Sequence, residues 1–127
     1  MIIGIGCDIV DHKITSQLNW DTDPRVISRI FSKKEIDLYQ SKKEIKFLAG
    51  RFAAKEAVLK SLNTGMQDGI SLVEIQILKS DKGKPVVSLE GKVKEIADKL
   101  GIKIFHVSIS HSEGYSIAYA IAESHSV

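Results

Sequence analysis

A single cysteine, Cys7, stands among the 127 residues, which excludes an internal disulfide and any cysteine-cluster zinc site. Prolines number only two and aromatic residues make up 6%. No Pro-rich linker, internal repeat or low-complexity tract divides the chain, so one domain over residues 1–127 is expected. No apolar run approaches the ~18 residues of a membrane span, and the apolar stretch at residues 1–7 carries no basic leader. The expectation is a cytoplasmic protein with no membrane partner. After Gly4 and Gly6 the third position of a dinucleotide fingerprint falls on Ile9, and no Walker motif occurs. Nor is there a case for a Ser/His/Asp triad, since nothing fixes a buried Asp beside His111.

What is present is a globular balance, with 43% hydrophobic and 27% charged residues. A chain this short buries roughly two thirds of its unfolded surface and has little apolar area left to enclose a site. A site at a subunit boundary fits that economy. The net charge of +2 conceals a strong asymmetry. Residues 1–24 carry −3, residues 25–60 carry +6 and residues 61–127 carry −1. The middle third suits an anion or an acidic surface. Only Phe31, Tyr39, Phe47 and Phe52 are aromatic there, without finger or helix-turn-helix spacing, so nucleic acid is not the expected partner.

The hydropathy pattern places a buried strand at residues 1–7 ending at Asp8, then a short helix over Ile9–Trp20. Pro24 opens a helical turn running through Arg29. Ser32 and Glu35 have capping-box spacing, as do Ser41 and Glu44, the second pair opening a long helix over Lys42–Leu62. Strands are expected at Leu72–Leu78 and Pro85–Leu89 around an Asp81–Lys84 turn. A helix follows over Lys92–Leu100, stopped by Gly101. Two closing strands, Ile102–Ser110 and Tyr115–Ala122, meet around Gly114. The class is α+β, a long central helix packed on a mainly antiparallel sheet.

On the long helix, Ile45, Leu48 and Leu59 lie within about 40° of Phe52 and define the expected buried stripe. Glu56 falls inside it, Lys60 on its margin at about 80°, and Arg51 about 100° away on the other side. A core-facing carboxylate needs a partner, because desolvation disfavours its charge. Either Lys60 pairs with it one turn on, or Glu56 holds a cation while Lys60 faces the same anionic ligand. Asp8 is the second carboxylate such a cation needs, placed beside small residues that admit a close approach; its alternative role is a helix N-cap. Asp11 is a further carboxylate, read as a helix-surface residue. Two carboxylates completed by water and phosphate suit Mg²⁺ better than Zn²⁺. Near the C-terminus, His106, Ser108 and Ser110 alternate with Phe105, Val107 and Ile109. This hydroxyl-lined face beside His111 either binds phosphate or is simply the solvent side of a strand.

Five ordered blocks resemble one family. They are Gly4-Ile5-Gly6-Cys7-Asp8-Ile9, Phe31-Ser32-Lys33-Lys34-Glu35, Gly50-Arg51-Phe52-Ala53-Ala54-Lys55-Glu56-Ala57 followed by Lys60, Gly83-Lys84-Pro85, and Val107-Ser108-Ile109-Ser110-His111. Together they cover nearly the whole chain and are similar to the holo-[acyl-carrier-protein] synthase family of 4′-phosphopantetheinyl transferases. The resemblance implies transfer of phosphopantetheine from coenzyme A to a serine of apo acyl carrier protein, releasing adenosine 3′,5′-bisphosphate, in fatty acid biosynthesis. It implies Mg²⁺ on Asp8 and Glu56, Lys60 at the diphosphate, and coenzyme A contacts from Arg51, Lys55, Gly65, Ser110 and His111. It also implies a homotrimer with coenzyme A between subunits. The serine proton goes to Glu56 or to a water on the metal. Asn63 stands where the family has the first glycine of its Gly-Thr-Gly loop. On the first helix Lys13 is the one basic residue, with Arg25 and Arg29 available to grip the acidic carrier. Two other classes remain on the residues alone: a small Mg²⁺-dependent nucleotide phosphohydrolase, and a non-catalytic nucleotide-sensing domain.

Overall fold

Alternating β-branched residues and glycines carry the first strand further than expected. In a computed structural model that describes residues 1–63 and 69–125, β1 spans Ile2–Asp11 and pairs antiparallel with β5 (Tyr115–Ser124) as far as Asp11 opposite Tyr115. The ladder claims Ile9 and Val10, so α1 is only His12–Gln17. Its N-cap is Asp11, whose carboxylate accepts from the Lys13 N–H at 2.8 Å, so the cap considered for Asp8 belongs three residues on. Pro24 sits in the first turn of α2 (Pro24–Ile27).

The Ser32–Glu35 capping box forms and starts α3 (Lys33–Gln40). The second box does not. Ser41 ends α3, giving its hydroxyl to the Leu38 carbonyl at 2.8 Å, and Lys43 takes a φ of 55°. The long helix α4 is therefore Ile45–Ser61. A 3-10 turn, Leu72–Glu74, replaces the start of the next expected strand. The hairpin of β2 (Ile75–Lys79) and β3 (Pro85–Leu89), α5 (Gly91–Lys99), and β4 (Ile102–Ser112) then follow. The order β1-β5-β4 makes one antiparallel sheet, and β2-β3 makes a second.

The first sheet lays Val10, Ala118, Ala120 and Ala122 against Ala53 and Ala57 of α4. A second cluster gathers Trp20, Ile27, Phe31, Tyr39 and Leu48 around the other flank, with the Trp20 ring tilted against Phe52 at 5.0 Å and edge-on to Phe31 at 5.5 Å. Covered from two sides, α4 buries most of its circumference, including Ala49, Gly50, Ala54, Val58 and Ser61. The expected stripe is corrected accordingly. Leu48 and Leu59 of that stripe are buried as expected, but Ile45, Phe52 and Glu56 are only half-buried and Lys60 is exposed, so the Phe52–Glu56–Lys60 line is the helix's open seam. Small residues, not the bulky ones, mark the sheet-facing side.

Lys55 is a second correction. Expected to touch a ligand, it is fully buried. Its ammonium donates to Glu35 Oε1 at 2.6 Å and to the Leu72 and Ile75 carbonyls at 2.9 and 2.6 Å. All three protons are committed, which leaves none for coenzyme A. Glu35, equally buried, also accepts from the Ser32 and Ile77 N–H groups, both at 2.9 Å. Burial pushes the Lys55 ammonium down from its usual range, opposed by the Glu35 charge.

Close approach sets the sheet-to-helix spacing. A β-carbon at Gly4 or Gly6 would run into the main-chain carbonyls of Ser61 and Ala57, so only glycine lets β1 lie this near α4. Gly6→Ala is expected to cost about 1–3 kcal/mol, the range for overpacking a filled interior, seen as a lower urea midpoint. Lys55→Met leaves the Glu35 charge stranded and is expected to cost about 3–5 kcal/mol. Adding Glu35→Gln should recover part of that loss in the same denaturation experiment.

Candidate active site

Because Gly6 admits the α4 backbone, Asp8, two residues on and on the same face of β1, is delivered to the open seam of the helix. Asp8 and Glu56 line one cleft of about 250 Å³ with Ile9, Val10, Asp11, Ile14 and Phe52. Burial pushes the Glu56 carboxyl up from its ordinary value, the Asp8 charge adds to the push, and Lys60 opposes it. The two acids therefore repel each other across the cleft. The helix ion pair considered for Lys60 is not formed with Glu56. Lys60 Nζ reaches back instead to Asp8 Oδ1 at 3.1 Å and to the Cys7 carbonyl at 2.9 Å.

Two oxygen-bearing groups in mutual repulsion, open to water, are the donor set a hard cation needs. Mg²⁺ takes one or two carboxylates and keeps its remaining positions for water and phosphate. Among the described residues no group of three or more His, Cys, Asp or Glu could hold a metal, which removes a self-contained zinc cage. Asp8 and Glu56 fit Mg²⁺ shared with a phosphorylated substrate.

A second cationic group lies elsewhere on α4. Arg51 stacks its guanidinium 4.0 Å over the Phe47 ring and keeps a buried Nε without a partner. Burial pulls it down from its usual range. His111 of β4 packs on Gly50, where an added β-carbon would come within 2.8 Å of its ring. Its ring is pushed down first by burial, then by the charges of His12, Lys46 and Arg51, against Glu44. Arg51, with the His111 imidazole on the same flank, thus lies about 140° around the helix from Glu56.

Ser110 is not brought to either group. It is exposed and alternates with Ile109 and His111, so it faces the opposite side of the sheet. His106, Ser108 and Ser110 are exposed on the face of the sheet turned away from α4. Gly65 and the Thr64 before it lie outside the described residues. Sequence reasoning missed Phe52, Ile9 and Ile14 as cleft walls. It also missed His12, whose ring meets Ser116 across 104 positions; no local signal could have found a pair created only by strand register.

A model of the 4′-phosphopantetheinyl transferase superfamily matches residues 4–120. The chain belongs to that superfamily. Among its transferase relatives is a protein of Clostridium novyi (strain NT) described as holo-[acyl-carrier-protein] synthase, 46% identical over 125 residues, spanning 97% of this chain and 88% of that one. The solved structure of holo-[acyl-carrier-protein] synthase from Neisseria meningitidis superposes with a TM-score of 0.88 at 32% identity, covering 98% of this chain and 100% of that chain. A Helicobacter pylori holo-[acyl-carrier-protein] synthase solved in complex with coenzyme A gives 0.81 at 34% identity, over 94% and 99%. The α+β transferase fold, a long helix on an antiparallel sheet, is the one found.

Glu56→Gln removes the repulsion with Asp8, so in metal-free buffer the variant is expected to melt no lower than the parent. Mg²⁺ should raise the parent's Tm and leave the variant's unmoved, as binding linkage requires. The folded protein holds the Glu56 proton more tightly than the unfolded chain. Its contribution to stability is therefore full below the ordinary glutamate range and is lost as pH rises through the raised value. The variant's advantage in urea midpoint should widen with pH accordingly.

Proposed function

We propose that this chain transfers 4′-phosphopantetheine from coenzyme A to a serine of apo acyl carrier protein, at the cleft of Asp8, Glu56 and Lys60. The observation that carries the reading is the pair of facing carboxylates with a mobile-ended lysine beside them, on a chain of this superfamily. Mg²⁺ held by Asp8 and Glu56 supplies neutralisation of the coenzyme A diphosphate. The carrier serine oxygen forms a bond to the β-phosphorus and gives its proton to Glu56 or a water, and the bond to the bridging oxygen breaks, releasing adenosine 3′,5′-bisphosphate.

Lys60 is exposed at its tip and bound to Asp8 through one contact. It exchanges that carboxylate for a diphosphate oxygen when substrate arrives, acting as a point charge. Arg51 and His111 meet the remaining anionic part of coenzyme A. Gly65 belongs to the phosphate loop on the family's pattern. Ser110, on the far face, reaches only a ligand bound from a neighbouring subunit.

Ile5, Ile9 and Tyr119 are more than half exposed on that far face, with Ile117 and Ile121 opposite Ile9 and Ile5. An apolar patch of this kind on a small domain marks an interface, here the one that assembles a homotrimer and brings coenzyme A between subunits. The carrier meets Lys13, Arg25 and Arg29, with exposed Ile14 and Leu18 as apolar partners. Among the described residues no helix is long and apolar enough to cross a membrane, and the cytoplasm is where the carrier would be met.

Intact-mass spectrometry of apo carrier with coenzyme A, Mg²⁺ and this protein should show a gain of about 340 Da, one phosphopantetheine group. A phosphohydrolase would consume coenzyme A and leave the carrier's mass unchanged; a sensing domain would do neither. Lys60→Ala is expected to lower kcat/KM for coenzyme A by about 10- to 100-fold, the worth of one hydrogen bond to a charged group. An unchanged value would return Lys60 to a structural ion pair.

A further inference from the structure

The face of β5 turned toward α4 is a row of fully buried small residues, Ser116, Ala118, Ala120 and Ala122. Three are alanine, and the hydroxyl of the fourth has a specific use. Ser116 Oγ lies 2.8 Å from His12 Nε2 and 2.7 Å from His111 Nδ1, so one buried serine bridges two imidazoles whose centroids are 6.5 Å apart. Both rings are held by backbone. The His12 N–H donates to the Gly114 carbonyl at 2.8 Å, its own carbonyl accepts from Thr15 at 2.8 Å, and the His111 ring rests on Gly50. Among the described residues His111 Nε2 has no hydrogen-bond partner; it lies on the flank of Lys46 and Arg51.

A serine hydroxyl has one proton and can donate it to only one of the two rings. The other ring must then donate an N–H to Oγ. In one order, His12 Nε2–H donates to Ser116, and Ser116 donates to His111 Nδ1, which puts the proton of neutral His111 on Nε2. In the reverse order, His111 Nδ1–H donates to Ser116, and Nε2 presents a bare lone pair. Only the first order offers a hydrogen bond to an anionic oxygen; the second repels it.

We propose that His12 and Ser116 are positioning residues that fix His111 as the neutral tautomer protonated on Nε2, presenting a donor to a phosphate oxygen of coenzyme A. This rests on the reading above that coenzyme A meets His111. In this order the contact forms without uptake of a proton from water. Loss of the Ser116 hydroxyl leaves His111 free to hold its proton on either nitrogen, and part of the population then faces the ligand with a lone pair.

The test is ¹⁵N-histidine spectroscopy of the full chain with adenosine 3′,5′-bisphosphate or coenzyme A, joined to kinetics. The parent should show His111 neutral with its proton on Nε2. Ser116→Ala, which continues the alanine row, should show mixed tautomers and raise KM for coenzyme A about fivefold, with kcat within about twofold and Tm unchanged. His12→Gln should move in the same direction, and Ser116→Thr should restore the parent values. A ligand-bound parent protonated on Nδ1 overturns the proposal. If H111A leaves KM unchanged, the coenzyme A contact itself is wrong, and the proposal falls with it. If H111A raises KM while S116A and H12Q behave as the parent, the positioning role alone is overturned.

Discussion

The contact of two strand glycines with the carbonyls of one helix is the constraint on which the site depends. Gly4 and Gly6 leave no side chain between β1 and α4, and the spacing this permits sets Asp8 within repelling range of Glu56. A strand held off by even one methyl group would need the helix to move, and the acids would separate with it. Packing and chemistry are here the same fact. The residues that make the interface tight are the ones that bring the two acids to one cleft at its end.

The helix itself divides labour around its circumference. Its small residues meet the sheet, its aromatic flank meets Trp20 and Phe31, Lys55 locks it from within, and its seam carries Glu56 and Lys60 to water. Repulsion between Asp8 and Glu56 is tolerated because Lys60 occupies one carboxylate until a substrate arrives. The charge arrangement is therefore unfinished in the isolated chain. Two acids share a single lysine, so the cleft carries one negative charge more than its own side chains balance.

Much of this was legible in the residues, and the errors have identifiable causes. Asp8 and Glu56 could be paired because an acid at a strand end and an acid on a long helix are both costly without a use. The buried side of α4 was read only in part: Leu48 and Leu59 are core as expected, but Phe52 is half-buried, and a helix covered from two directions also buries the alanines and Gly50 that the stripe left out. Lys55 was given a coenzyme A contact by the resemblance alone, and its partner Glu35, 20 positions away, was already accounted for as a cap. The strand overran into Ile9–Asp11 because a ladder with β5, more than a hundred residues later, outweighs local helical preference. The cluster of His12, Ser116 and His111 is likewise a product of register, and register is tertiary information.

Glu35 joins more than its neighbours suggest. One carboxylate closes the first turn of α3, holds the lysine at the middle of α4, and accepts the amide of Ile77 in β2. Three elements distant in sequence thus share a single buried anchor, and none can open without stranding the charge for the other two. Fraying of one element at a time is suppressed, and the domain comes apart as one cooperative unit. The Ile77 amide, tied to a side chain and not to a neighbouring strand, then exchanges its hydrogen only when the whole molecule unfolds.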